Sequence, residues 1–433
     1  MKLSNKIKPS ILPGFMELLP REQLIFNDIV NKVTKVYSQN GFLPMDTPII
    51  EKASVLLAKS AGETEKQVYN FKKGDKELAL RFDLTVPFAR FVAQYYNDLT
   101  FPFKRYQIGK VYRGERNQRG RYREFYQCDV DVVGNGKLDI KNDALVVSTV
   151  YKALKSIGLD KFKIQMSNRK ILKGILEELE IENDVEVMIL IDKYDKIGKE
   201  KFCELLVELI GEEKSTFINK VMEISGDNTS IISELNSLGI SNELFNIGVE
   251  ELNEVIKYLL LFGVDKNFFK IDLKIIRGLD YYTGTVFETL IEGHEGFGSI
   301  SSGGRYDNLA QNYTDNVLPG VGMSIGITRL FFVLGEIGFL DTYKIEDNEK
   351  YLIVPIGETV EFSMEVLAKL QEQGKYAEVY LENDKIKKKM NFANKLNINK
   401  VILIGEDEAS SRELTIKNME TGEQTKIKFE DLA

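Results

Sequence analysis

RYQIGKVYRGERNQRGRYREFYQCDVDVVG, residues 105–134, is the stretch on which the fold turns. With the two residues before it, it divides into FKRYQIGKVYRG (103–114) and REFYQCDVDVVG (123–134), both rich in β-branched and aromatic residues. ERNQRGRY (115–122) joins them, a polar link with a glycine. Two such runs across a short polar link predict a long antiparallel hairpin. Its charge is lopsided. Lys104, Arg105, Lys110, Arg113, Arg116, Arg119, Arg121 and Arg123 stand against Glu115 and Glu124, inside a chain whose net charge is -8. A solvated face normally mixes signs. Arginines crowded on a hairpin suit forked contacts to phosphates, and Tyr112, Tyr122, Phe125 and Tyr126 offer rings on which a base could stack. A phosphate or nucleic-acid site and a plain basic face both account for this composition.

Upstream, residues 21–40 predict an amphipathic helix with Leu24, Ile25, Ile29, Val33, Val36 and Tyr37 on one face and Gly41 as its stop. Pro44 and Pro48 then impose an extended path. Downstream, residues 146–157 and much of 169–263 read as helix, and 166–265 as a helical insertion. Strand character returns at 268–291 and 297–302, and residues 318–334 read as a glycine-rich strand running into a helix. After a polar boundary at 340–349, strand and helix alternate through YLIVPIG, EFSMEVLAKLQEQG, YAEVYL, IKKKMNFANKL and KVILIG. That is the pattern of a small α/β domain with a mostly parallel sheet. A hairpin turning at Thr421–Gly422 closes it.

The bulk numbers exclude several classes. The 433 residues suffice for two or three domains, and 43% hydrophobic with 29% charged is an ordinary globular balance. The acidic net charge confines any nucleic-acid contact to local basic patches. Cys128 and Cys203 suggest neither a disulfide framework nor a zinc site, which fits a reducing cytoplasm. No signal peptide and no membrane span is expected. His294, the single histidine, lies between glycines and reads as a surface loop residue, so no mechanism can rest on a protein histidine pair.

Three further stretches draw notice. RGLDYYTGTVFE (277–288) sets an arginine, an aspartate and two tyrosines on strand-like sequence, and alternation would put Gly278, Asp280 and Tyr282 on one face. A core strand with rim tyrosines explains it equally well. SSGGRYD (301–307) has paired glycines that permit close backbone approach, a weak signal alone. GVGMSIGITR (320–329) clears space above a strand, for a nucleotide or for a tight helix–sheet contact. Neither a P-loop nor a dinucleotide fingerprint is present, so any ATP use needs another fold. DKIKKKM (384–390) reads more readily as a solvated helix face than as a grip on RNA.

Taken together, these segments resemble the class II aminoacyl-tRNA synthetases, and within them the histidyl-tRNA synthetase family. The resemblance covers nearly the whole chain and is weakest across the helical insertion. Gly14–Pro20 is similar to the family's opening, GFLPMDTPIIE (41–51) to the first class II motif, ALRFDLTVPFAR (79–90) to an amino-acid-binding segment, residues 105–134 to the second motif and GVGMSIGITRL to the third. RGLDYYTGTVFE and SGGRYD resemble two signatures particular to the histidine branch. The resemblance implies an α+β fold: a class II antiparallel sheet with flanking helices in 1–165 and 266–340, a helical insertion at 166–265, and an anticodon-binding domain at 348–433.

It also implies roles. Arg113 would hold the α-phosphate of ATP and Arg277 would be a second, catalytic arginine there. Glu115 would meet the adenine end, with Phe125 and Arg329 stacking on its two faces. Asp83, Thr85 and Gln127, in a segment that includes Leu84, would bind the amino group of histidine. Asp131 and Tyr282, beside Tyr281, would address the imidazole. Arg116, Gln118 and Arg119 would meet the acceptor end of tRNA(His). Where some members carry glutamate, this chain has the shorter Asp83 and Asp131, which resemble an alternative branch of the same family. The implied reaction activates L-histidine with ATP and Mg²⁺, with no side-chain cluster for the metal, in a cytoplasmic homodimer free of membranes. The competing reading is a non-catalytic paralogue, the regulatory subunit of ATP phosphoribosyltransferase. That paralogue lacks an anticodon domain and has a degraded RGLDYY stretch.

Overall fold

A computed structural model describes residues 7–58, 63–116, 118–276, 281–345 and 349–432. The chain forms two compact units, Met1–Tyr343 and Lys344–Ala433.

The first unit contains β1 (Leu43–Pro44), β2 (Ile50–Lys52), β3 (Asn70–Lys73), β4 (Lys76–Leu80), β5 (Phe103–Tyr112), β6 (Glu124–Val133), β7 (Phe162–Asn168), β8 (Phe269–Ile271), β9 (Thr285–Ile291), β10 (Ser301–Tyr306) and β11 (Gly320–Ile325). Eight of them make one sheet in the order β1-β5-β6-β11-β10-β9-β7-β8, and β2, β4 and β3 make a small second one. The hairpin expected from the sequence is its axis: β5 and β6 pair antiparallel from Phe103↔Val133 to Tyr112↔Glu124. Only the outermost pairs, β1 on β5 and β8 on β7, are parallel.

Alternation divides this sheet into two faces. Cys128, Val130 and Val132 of β6 point to the back, under the Pro20–Gln39 helix, whose Tyr37 donates to the Cys128 carbonyl at 3.1 Å. The Lys141–Ser156 helix lies on the same side and buries Asp143 against Arg305 of β10 (2.7 Å). Thr285 of β9 donates to the same carboxylate. Arg305, part of the SGGRYD signature, thus ties a helix to the back of the sheet.

The structure corrects several sequence expectations. On the Pro20–Gln39 helix Leu24 is 49% exposed, and Phe26 is buried instead, its ring 5.5 Å from those of both Tyr126 and Phe331. β7 continues through Asn168, and the helix starts at Arg169, where the helical pattern of 169–263 places it; Asn168 caps it by accepting from Lys170 N. No continuous strand spans 268–291. Residues 281–284 form a loop ahead of β9, tied to the flanking strands by Thr283 N donating to Arg305 O (2.8 Å) and Arg169 N donating to Gly284 O (3.0 Å). The strand expected at 297–302 starts only at Ser301, after a single helical turn over Glu295–Phe297.

The second unit contains β12 (Lys350–Pro355), β13 (Tyr376–Val379), β14 (Lys400–Ile404), β15 (Glu413–Asn418) and β16 (Gln424–Lys428), in the order β13-β12-β14-β15-β16. Two pairings are parallel and two antiparallel, so the sheet is evenly mixed rather than mostly parallel. The Val360–Glu372 helix buries Val366 and Leu370 against Ile353, Ile402 and Leu414 on one face. The Ile386–Lys395 helix covers Leu352, Val354 and Val401 on the other through Ala393. Lys389, within the lysine run 385–389, is buried and donates to the Pro355 carbonyl at 2.8 Å, so that run is not wholly a solvated face.

Candidate active site

The front face of the large sheet carries two rows of side chains that cross strand to strand. Register aligns Gln107 with Asp129, Asp129 with Ser324, Ser324 with Ser302, Ser302 with Glu288, and Glu288 with Gln165. The next row runs Arg105, Asp131, Gly322, Gly304. A continuous polar row can lie on a buried sheet only where that face meets a polar ligand or another polar layer.

The glycines of the second row, and Gly320 beside it, make room for their neighbours. A Cβ on Gly322 would lie 1.9 Å from Asp131 Oδ1, one on Gly320 2.3 Å from the Tyr306 ring, and one on Gly304 2.7 Å from the Tyr282 ring. The sequence offered a nucleotide or a helix–sheet contact for the space above 320–326, but side chains of the adjoining strands fill part of it.

Asp131 is held from both ends. Arg105 Nη2 lies 2.7 Å from Oδ2, and the Tyr306 hydroxyl donates to Oδ1 at 2.7 Å. Arg105 is fully buried, donates to Leu84 O at 3.2 Å, and lies over the Phe88 ring at 4.3 Å. Asp83 accepts from Thr85 N (3.1 Å) and Val86 N (2.9 Å), capping the helix that starts at Thr85. Burial raises the carboxyl pKa values of Asp83 and Asp131. Tyr281 and Tyr282 pack together at 4.8 Å, and Tyr281 meets Tyr306 edge-on at 6.1 Å. Tyr281 is partly buried beside Thr85 and Asp83, and desolvation of its hydroxyl pushes that pKa well up. Leu84, Thr85, Asp83, Asp131, Tyr281 and Tyr282 are thus brought together, although the last two reach the site from a loop rather than a strand.

Beside this cluster opens a cavity of about 700 Å³. Arg113, Glu115, Phe125, Gln127 and Arg329 all line it, as do Ser302, Glu288 and Gln165 of the polar row. Arg113 is wedged between two rings, 4.4 Å from Phe82 and 5.2 Å from Phe125, with its Nε on the Phe82 carbonyl at 3.2 Å. Such stacking fixes a guanidinium while leaving donors for an anion. Arg329 enters from the first turn of the Ile327–Glu336 helix and donates to Ser299 O at 3.2 Å. Gln127 donates to the Ser324 hydroxyl at 2.9 Å, and its own Oε1 is buried without a partner. Arg277, with Asp280, lies outside the described residues.

The basic hairpin is less free than its composition suggests. Lys110 pairs with Glu124 at 2.7 Å, Arg121 with Glu115 at 3.5 Å, and Arg119 with Glu336, while Arg105 is inside. Arg116, Gln118 and Arg119 remain exposed at the tip. The sequence reading missed Tyr306 and the site role of Arg105. Their signal was the Gly320 and Gly322 spacing opposite a tyrosine and an aspartate, legible only once register is known.

Among the described residues no group of three His, Cys, Asp or Glu side chains could hold a metal, and no helix is long and apolar enough to cross a membrane.

A model of histidyl-tRNA synthetase matches residues 14–330, and a model of the anticodon binding domain matches 350–433. The histidine–tRNA ligase of Clostridium acetobutylicum is 67% identical over 99% of this chain and 100% of its own. The crystal structure of histidyl-tRNA synthetase from Nostoc sp. superposes with a TM-score of 0.88 at 36% identity, covering 98% of this chain and 97% of that one. An ATP phosphoribosyltransferase regulatory subunit/histidyl-tRNA synthetase from Bacillus halodurans superposes at 0.77 with 22% identity over 92% and 99%, a likeness of fold alone.

Proposed function

The chain belongs to the histidyl-tRNA synthetase family, and we propose that the front of its large sheet holds histidine over Asp131 and ATP in the adjoining cavity. The activity is that of a histidine–tRNA ligase: histidine is activated with ATP to the adenylate and passed to the 3′-terminal adenosine of tRNA(His). Identity of 67% over the full length carries this assignment, and the anticodon-binding match at 350–433 disfavours the regulatory paralogue.

The observation that carries the site reading is that Arg113, Glu115, Phe125 and Arg329 line one cavity contiguous with Gln127 and the polar row. Phe125 and Arg329 stack on the adenine from two sides, Glu115 reads its edge, and Arg113 holds the α-phosphate. A histidine carboxylate oxygen attacks the α-phosphorus, the bond to pyrophosphate breaks, and the fixed guanidinium stabilises charge that accumulates there. Arg277 is the second cation of this step. Asp83, Thr85 and Gln127 take the ammonium group, and Asp131 and Tyr282, with Tyr281 beside them, read the imidazole. A pocket that pairs both ring nitrogens rejects analogues lacking one, because a buried group is then left unsatisfied.

Mg²⁺ fits this cavity as a phosphate-bound ion. Its walls carry two separate carboxylates, Glu288 and Asp272, which would offer oxygen ligands beside the phosphates rather than an all-protein cage, the arrangement this cation favours. When bound it would neutralise charge on the polyphosphate. Arg116, Gln118 and Arg119 at the hairpin tip meet the acceptor end of tRNA, and the helices between Arg169 and Leu261 form the insertion that closes over it. Leu43, Ile49 and Ile50 lie in the segment resembling the first motif, between 40% and 59% exposed around the edge strand β1; they support a homodimer through that segment. Two unpaired cysteines fit a cytoplasmic setting.

The test is ATP–pyrophosphate exchange driven by histidine and not by proline, threonine or serine. Exchange that runs equally well with another amino acid overturns the reading.

A further inference from the structure

Asp129 belongs to none of the residue sets assigned above, yet it lies one row from Asp131 on the same face of β6. It is 2% exposed. Its Oδ2 is 3.9 Å from Arg105 Nη2, the same nitrogen that holds Asp131 at 2.7 Å. Its Oδ1 takes no hydrogen bond of good geometry. The groups facing it are Arg105 and Gln107 from β5, Asp131 on its own strand, Ser324 from β11, Asp83 from the segment before the Thr85–Gln94 helix, and Tyr37 from the back helix. Asp129 and Asp131 therefore share one buried guanidinium, while Asp83 adds a third negative charge nearby that Arg113 offsets before Arg105 does. Two like charges so close, away from water, cannot both persist fully against one cation.

We propose that Asp129 is a proton-holding positioning residue that governs how Arg105 is shared, and so how firmly Asp131 can accept from the substrate. With Asp129 protonated, Arg105 has Asp131 to itself, and that carboxylate is committed to the pair. With Asp129 ionised, Arg105 is drawn toward it, and Asp131 gains freedom to accept from the ring N–H of histidine. The ring N–H of histidine is best accepted when Asp131 is free of Arg105, so substrate entry favours the ionised form of Asp129 and binding expels its proton to solvent. Burial is the first cause that pushes the Asp129 carboxyl up, to about 7; Arg105 opposes it and the Asp131 charge adds to it. The exchange of protons thus falls in the neutral range. The inference rests on histidine lying over Asp131.

The experiment is calorimetric titration of the full-length protein with L-histidine from pH 6 to 8, in two buffers of different ionisation enthalpy. Wild type and Asp129→Asn are compared, so that titration of free histidine cancels. Wild type should bind roughly tenfold more weakly for each pH unit below the midpoint than the variant's own slope predicts. It should also release more proton than the variant does. Asparagine resembles the protonated acid in shape and hydrogen bonding, so the variant should keep a flat difference curve. As a measurement needing no variant, the infrared carbonyl band of a protonated carboxyl should be present in the wild type at pH 6 and fade on histidine addition. Equal slopes and equal proton release, or a carbonyl band unmoved by histidine, overturn the role of Asp129 and leave the histidine site standing. No heat with histidine in either protein overturns the site reading along with it.

Discussion

Gly322→Ala adds one methyl group at the point where the amino-acid site has least room. The new Cβ would lie 1.9 Å from Asp131 Oδ1 and 2.5 Å from its Cγ, so one side must move. The glycine backbone cannot, because β11 is paired on both sides, Gly322 with Asp131 and with Gly304. The carboxylate must yield instead, and it is anchored by Arg105 and Tyr306, each at 2.7 Å. Overpacking of this kind costs about 1–3 kcal/mol in stability. Losing a hydrogen bond to a charged group costs roughly 1.5–3 kcal/mol more at the site itself. The second figure corresponds to a rise in KM for histidine of about 10- to 100-fold, with KM for ATP little changed, because the clash lies in the row away from the cavity. Gly303→Ala is the control: its Cβ would strike Gly322 O at 2.1 Å, which strains the sheet from its back face without meeting Asp131. Steady-state exchange kinetics with each substrate varied, together with thermal melts, separate the two variants. A Gly322→Ala protein that melts lower but keeps the wild-type KM for histidine would refute the claim that Asp131 fixes the substrate.

Other perturbations probe the remaining parts. Arg113→Ala should lose roughly 10²–10³ in adenylation rate, the usual effect of removing one preorganised donor; Arg113→Lys should recover little, since a point charge cannot replace a fork stacked between Phe82 and Phe125. Single-turnover adenylate formation reads both. Asp143→Ala leaves Arg305 buried without its carboxylate and should destabilise the first unit by about 3–5 kcal/mol in denaturant titration. Removing residues 344–433 should abolish tRNA charging while sparing histidine-dependent exchange; intact charging would overturn the domain assignment. The Asp129 carboxyl has its pKa raised to about 7 in the fold, so between pH 4 and 7 the native state binds more protons than the unfolded chain and stability falls as pH rises. Asp129→Asn should therefore melt higher than wild type at pH 8 and lose that advantage near pH 4.

Much of the fold was legible because local pattern and tertiary outcome agree. β5 and β6 fall within two residues of the expected ends, since alternation, turn chemistry and burial all favour the same pairing. Arg113, Glu115, Phe125 and Arg329 were named from motif positions and line one cavity. Tyr281 and Tyr282 show where local reading fails. Their sequence alternates like a strand, but they lie in a loop, and the chain is tied to Arg305 and Arg169, distant in sequence, only from Thr283 and Gly284 onward. The arginines of 104–124 read as one basic surface because composition carries no facing. Strand pleating buries Arg105, and Glu336, far along the chain, takes Arg119. Tyr306 stayed hidden because its partner Asp131 is 175 residues away.

The row from Gln107 to Gln165 crosses five inter-strand gaps, about 24 Å at ~4.8 Å each. Its spacing is set by backbone hydrogen bonds, so it works as a ruler whose marks cannot drift with side-chain motion. A one-residue slip of any strand would turn its share of polar groups into the back layer and send valines and cysteine toward solvent and substrate. Misregistered folding and loss of the active site are therefore the same event in this protein. The row should be intolerant of insertions or deletions within β6, β9, β10 and β11, while point substitutions along it alter affinity one mark at a time.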